Sequence, residues 1–302
     1  MTKNKHLTGI FCALLANVIF GFSFIFSKTA LAVSHPLVIL AVRFTVAFLF
    51  INILLILGVF KLNLKVFKNP ALWALGIAQP LLYFIFELYG LSLVSSALSG
   101  VIIALVPVAV MVMSAFVLKE KPTLLQWLFT LISIIGVSLI SIISNNGEKN
   151  YTIGILLLVG AVICAAVFNI LSRRQSATCS PFERTYVMFL VGAVGFNIIA
   201  LFVLKQNYFP LVFESISNGK FIISIVYLAI VSSVLAFLLY NFATSNITAI
   251  EASSFSNIIP VVTVIAGVVI LKEKMTLWGY LLCAVIILGV WGVNCFTQQK
   301  KK

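Results

Sequence analysis

Residues 107–121 read PVAVMVMSAFVLKEK, and residues 260–274 read PVVTVIAGVVILKEK. Each copy opens on a proline, runs through apolar residues and closes on Leu-Lys-Glu-Lys, at Leu118 and again at Leu271, an offset of 153. Gly136 and Gly289 match at the same offset. Earlier in the chain Gly9 matches Gly154 and Pro36 matches Pro181, at an offset of 145, and between these blocks Leu88-Tyr89 matches Leu239-Tyr240. A long-period duplication is sought before anything else, because overlooking it misreads the whole fold. The chain divides into two repeats, 1–145 and 146–302, with insertions between the matching blocks.

The solvent of these repeats follows from composition. Of 302 residues, 62% are apolar and 9% charged, and the mean hydropathy is +1.20. Soluble domains carry about 25% charged residues, so this chain cannot cover itself in water. That excludes a soluble enzyme, a nucleic-acid-binding domain and a disordered protein. The net charge of +13 lies in short gaps between apolar runs, where it anchors and orients a membrane chain. Five cysteines, mostly within apolar runs and without CxxC or Cys/His clustering, indicate neither a disulfide framework nor a metal site. No cofactor is implied.

A membrane-crossing helix needs about 20 mostly apolar residues. Ten such runs are expected, near 8–27, 36–58, 71–91, 95–118, 123–143, 152–172, 182–204, 221–242, 248–271 and 276–297. Ser34-His35-Pro36 and Cys179-Ser180-Pro181 are turns that put proline at a helix start. The N-terminus imitates a secretory leader, but its apolar run is too long for one and is read as the first span. With the N-terminus inside, 13 Lys/Arg fall on the inner side and 6 on the outer. This places both termini in the cytoplasm. An odd number of spans per repeat then inverts the second half relative to the first. Inverted repeats are typical of secondary transporters, with the substrate site near the midplane between them.

The pattern resembles the ten-helix branch of the drug/metabolite transporter superfamily, built from paired EamA domains. The residues that carry the resemblance are Phe20-Gly21-Phe22-Ser23 with Lys28, Pro36 through Arg43-Phe44, and Ser253-Ser254-Phe255-Ser256-Asn257 through Pro260 to Lys274, with a fainter twin around Pro107 and Leu118. The family often has Gly-Glu where this chain has Lys-Glu. The resemblance implies an all-α polytopic membrane protein of ten transmembrane helices in two inverted five-helix repeats. It implies export or exchange of small metabolites or drugs, such as amino acids or organic cations, by alternating access. With the short tails, it also suggests a bacterial inner membrane.

Polar residues inside the spans are the candidates for chemistry, because a charge near the bilayer centre is costly and marks function by default. Gln79, Tyr83 and Glu87 are spaced i, i+4, i+8, one face of the third helix. Pro80 interrupts that helix beside them. They form the expected substrate-lining stripe; the alternative is an interhelical hydrogen-bond network. Arg43 in the second span lies about 10 Å deep and Glu87 about 6 Å from the same face, so a gating or binding ion pair is open between them, as is a static staple. Their repeat mates are Met188 and Leu238, so this chemistry belongs to one half only. Asn257 shares a face with Ser253 and Pro260 and is a binding candidate. Asn17 and Tyr227 are further substrate-binding candidates, Asn17 with an interhelical alternative and Tyr227 with a membrane-interface one. Glu251 is read as a gating or proton-coupling acid, or as an interfacial acid facing Arg173, Arg174 or Arg184. Lys28 reads as a snorkelling interfacial cation.

No phosphate-binding Walker sequence is present. The absence of any Asp, together with two histidines confined to segment ends, argues against an intramembrane enzyme. The expected partners are a small-molecule substrate, membrane lipid and a proton as coupling ion, with no nucleic acid, in a monomer or weak homodimer. Flipping of a lipid-linked intermediate and metabolite uptake are the alternative functions.

Overall fold

In the computed structural model, residues 3–117, 123–143, 151–247, 252–253, 255–272 and 276–298 are described. All regular structure among them is helical. Seven helices are long and apolar enough to cross a membrane, and three shorter apolar helices complete ten. The spans are α1 (Lys3–Leu31), α2 (Pro36–Ile56), α3 (Pro70–Leu93), α4 (Ser96–Ile103 continued by Val106–Val117), α5 (Leu124–Ile143), α6 (Tyr151–Gln175), α7 (Pro181–Leu204), α8 (Gly219–Asn246), α9 (Ile258–Val269) and α10 (Leu277–Gln298).

Local chemistry sets the ends. Asn69 accepts from the Ala71 amide with Pro70 at the first helical position of α3. Ser180 and Glu183 form a reciprocal capping box at the start of α7, again with proline behind it. Asn218 accepts from Lys220 and Phe221 to open α8. A side-chain acceptor satisfies an orphan N–H there, and proline lacks the N–H that would be orphaned.

The packing repeats when every span number is advanced by five. α2 lies on α7, α5 on α10 and α4 on α9. α1 packs on α8 and α9, while α6 packs on α3 and α4. Two inverted five-helix repeats account for this exchange. Two glycines at matching positions show why backbones approach so closely. A Cβ on Gly154 would lie 2.9 Å from Leu93 Cβ and Val94 Cγ1, and one on Gly9 would lie 3.1 Å from Asn246 Cβ and Ile247 Cγ2. Small residues allow such approach where lipid offers helices no hydrophobic drive to associate.

α3 and α8 are the irregular spans. Gln79 has extended backbone (φ −149°, ψ 119°) before Pro80, within a π-type stretch over Ile77–Leu82. α8 widens into a π-type stretch over Tyr227–Leu235. Proline removes a donor and keeps the residue before it out of the helical region. Such bulges inside helices occur often at functional sites. The outer faces carry exposed apolar side chains such as Phe11, Ile56, Phe202 and Trp278, as expected of lipid-facing positions.

Candidate functional site

Beside the break in α3, six polar side chains line one cavity between α1, α2, α3, α8 and α9. Gln79, Tyr83 and Glu87 come from α3, Arg43 from α2, Ser23 from α1 and Ser232 from α8. Phe20, Phe24, Phe84, Phe237 and Ile259 make up the apolar wall. The space open to the centres of water molecules is about 40 Å³. Roughly 10–15 Å³ on that measure holds one water, so the cavity admits a few waters, and a metabolite enters only if the helices move.

Arg43 is buried, and its Nε donates to Ser233 Oγ at 3.0 Å and its Nη2 to Ser232 Oγ at 3.4 Å. Its guanidinium carbon lies 4.3 Å from the Phe84 ring centroid and 5.4 Å from that of Phe44. The ring faces attract the cation electrostatically, and Phe44 is fixed among Phe84, Phe189 and Phe196. Neutral acceptors and π-faces therefore hold the charge without cancelling it.

Glu87 is 2% exposed, and its Oε2 has no hydrogen-bond partner among the described residues. Among the described residues, no hydrogen bond or ion pair joins Glu87 to Arg43. The ion pair that their similar depths allowed does not form: the serines of α8 take the guanidinium donors instead. Two opposite charges thus face one small space without meeting. Such a site can hold a molecule carrying both charges, or an ammonium group at Glu87.

Asn17 and Tyr227 are placed elsewhere. Asn17 gives its amide to the Ala13 carbonyl of its own helix at 2.7 Å and does not line this cavity. Tyr227 donates to the Ile19 carbonyl at 3.0 Å and stacks on Phe26 with ring centroids 4.0 Å apart, also outside the lining. Asn257 belongs to a short 3-10 turn, Phe255–Asn257, and its side chain lies outside what the structure describes. Glu251 lies outside the described residues, as do Leu118–Lys121 and Glu273–Lys274 of the two closing turns.

Two cations behave differently from their sequence reading. Lys28 reaches inward, its Nζ donating to the carbonyls of Leu91 at 2.8 Å and Val94 at 2.6 Å. Arg184, counted for orientation as a cation of the inner side, is fully buried. Its Nη1 donates to the Ser172 carbonyl and Oγ and to Thr244 Oγ1, and its Nη2 to the Asn241 carbonyl and Ser245 Oγ, at 2.5–3.1 Å. It knots α6, α7 and α8 together. Ser232 and Ser233, an adjacent hydroxyl pair inside an apolar span, were the available signal for the Arg43 cradle. Ser172, Asn241, Thr244 and Ser245, polar residues crowding two helix ends, were the signal for Arg184.

The chain matches the model of the EamA-like transporter family twice, over residues 7–142 and 152–295. An uncharacterized transporter, YcxC, of Bacillus subtilis is 35% identical over 307 residues, covering 100% of this chain and 97% of that protein. An uncharacterized transporter of Archaeoglobus fulgidus is 27% identical over 274 residues, covering 90% and 93%. A crystal structure superposes over 100% of both chains with a TM-score of 0.67 at 18% identity, a likeness of fold alone. With two matched domains, full-length relatives and a helical bundle that carries its polar cavity inside, the chain belongs to the EamA-like transporter family and is a multi-pass membrane transporter.

Proposed function

We propose that this transporter is a secondary active carrier that exports or exchanges small zwitterionic metabolites of the amino-acid type by alternating access. One observation carries the reading: the Glu87 carboxylate keeps an unpartnered buried oxygen while the Arg43 guanidinium, bound only to hydroxyls and rings, faces the same cavity. A substrate carboxylate at Arg43 and ammonium at Glu87 supply the missing opposite charges, and the phenylalanine wall receives an apolar side chain. Buried charges left without such partners cost several kcal/mol, so the site favours molecules that bring both. Glu87 is also the group through which a proton couples, taking the place of the substrate ammonium in the empty carrier. The carrier sits in the cytoplasmic membrane with both termini inside, a reading supported by the Lys/Arg distribution.

The test compares extracellular metabolites of cells expressing the wild type, Glu87→Gln or Arg43→Gln at equal membrane levels. Zwitterions accumulate outside with the wild type. Each variant loses that export by roughly tenfold or more, the worth of one hydrogen bond to a charged group. If Arg43→Gln exports zwitterions at the wild-type rate, the dipolar site is wrong. If only monovalent organic cations are exported, and only Glu87→Gln abolishes it, the carboxylate alone is the anchor.

A further inference from the structure

The first helix of each repeat ends in a cation, and both cations reach the same kind of place. Near the end of α1, Lys28 donates to the carbonyls of Leu91 and Val94, at 2.8 and 2.6 Å. Near the end of α6, Arg173 donates from Nη1 to the carbonyls of Thr244 and Ser245, at 2.7 and 3.4 Å. Lys28 and Arg173 are 145 residues apart, the offset that relates Pro36 to Pro181. Leu91 lies three residues before an extended break at Val94 (φ −133°, ψ 176°), and Thr244 three before an extended break at Ile247 (φ −129°, ψ 167°). The two contacts are therefore one contact made twice, and inversion puts them on opposite membrane faces.

The chemistry at each is a cation on the last carbonyls of a helix, which have no intrahelical partner and carry the negative end of the dipole. Each break is also met by a glycine of the first helix of the other repeat: Gly154 of α6 packs on Leu93 and Val94, and Gly9 of α1 packs on Asn246 and Ile247. The end of each third helix is thus clamped between α1 and α6. Both clamps are closed at once in this structure, around a cavity too small for a metabolite.

We propose that Lys28 and Arg173 are the two latches of alternating access, positioning residues that each hold one face of the carrier shut and open that face when released. The proposal rests on the carrier reading above. The latches are unequal. At the face of the termini, Arg184 adds its own bonds to Asn241, Thr244 and Ser245, whereas the matching position of the first repeat is Ile39. The terminal face is held more firmly, so the resting carrier opens preferentially toward the opposite face.

The experiment places a reporter in the cavity, Ser23→Cys, in a full-length chain whose five native cysteines are replaced by alanine. A membrane-impermeant maleimide is applied to sealed right-side-out and inverted vesicles, and labelling is normalised to the total after denaturation. Lys28→Gln raises the ratio of labelling from the face opposite the termini by roughly tenfold, the worth of a charge-assisted hydrogen bond. Arg173→Gln moves the ratio the other way, by less, because Arg184 remains. Lys28→Arg restores the wild-type ratio, which a residue needed only for folding does not do selectively. Unchanged ratios, or shifts in one direction for both, overturn the latches. If a glutamine variant does not accumulate, Lys28→Met or Arg173→Met, which keeps the apolar stem and removes the donor, is read in its place; its ratio moves as expected for the matching glutamine variant, and no movement overturns the proposal. Labelling from one face only, in the wild type and every variant, overturns alternating access itself.

Discussion

Arg43 and Arg184 are both buried cations on equivalent helices of the two repeats, seven residues past Pro36 and three past Pro181, yet their surroundings give them different work. Arg184 has five acceptors on two neighbouring helices and does not line the cavity. Arg43 has two serine acceptors and borders open space. Hydrogen bonds to charged groups are worth about 1.5–3 kcal/mol each, and buried acceptors left unmade cost more than the mean. Arg184→Ala should therefore lower the thermal midpoint of the detergent-solubilised protein strongly, because it leaves several buried acceptors unmade at about 1–3 kcal/mol each. Arg43→Ala should cost transport far more than stability. Thermal unfolding followed by size-exclusion chromatography separates the two: equal midpoints for both variants would contradict the assignment. Neither role is written in the residue type. Arg184 sits three residues past Pro181, a position that on sequence alone belongs at the membrane surface.

At the scale of elements, caps and breaks decide where each helix can act. His35 caps α2 by accepting the Leu37 amide at Nδ1, at 3.2 Å, with Pro36 behind it. Accepting requires the neutral imidazole, and partial burial holds its pKa below the ordinary 6.5. A histidine lowered in the folded state contributes stability that is present above pH 6.5 and lost as pH falls through the lowered value. His35→Asn keeps an acceptor and removes the titration. The wild-type thermal midpoint should therefore fall relative to His35→Asn between pH 7 and pH 5, and parallel curves would show that the cap does not titrate. The proline breaks were legible: Pro80 marked α3 as the interrupted helix, and Gln79, Tyr83 and Glu87 do share a cavity. The wide π-type stretch of α8 was not, because no proline or glycine lies within Tyr227–Leu235. It arises where α8 meets α2 and α1.

At the scale of the molecule, the bundle divides into a working core and a flank. α5 and α10 pack chiefly on each other, with Gly136 against Ile286 and Gly292 against Phe129, and neither contributes to the cavity lining. Gly292→Leu forces a side chain into Phe129 and should cost about 1–3 kcal/mol of stability, the usual penalty of overpacking. The same variant should leave the apparent KM for substrate unchanged, since the cavity is built from other spans. A changed KM at normal membrane level would show that the flank takes part in transport.

The amino-acid sequence by itself determined the solvent, the ten spans and the doubled, inverted plan, because hydropathy and repeat spacing are properties of the chain read in order. It also singled out Arg43, Gln79, Tyr83 and Glu87, since polar groups inside apolar runs are visible without neighbours. Which cation meets which acceptor was decided only by the tertiary structure. Arg43 on Ser232 and Ser233, Lys28 on the end of α3 and Arg184 in its knot join residues 12 to 190 positions apart. A guanidinium chooses acceptors by distance and direction, and those are set by how the repeats interlock rather than by the order of residues.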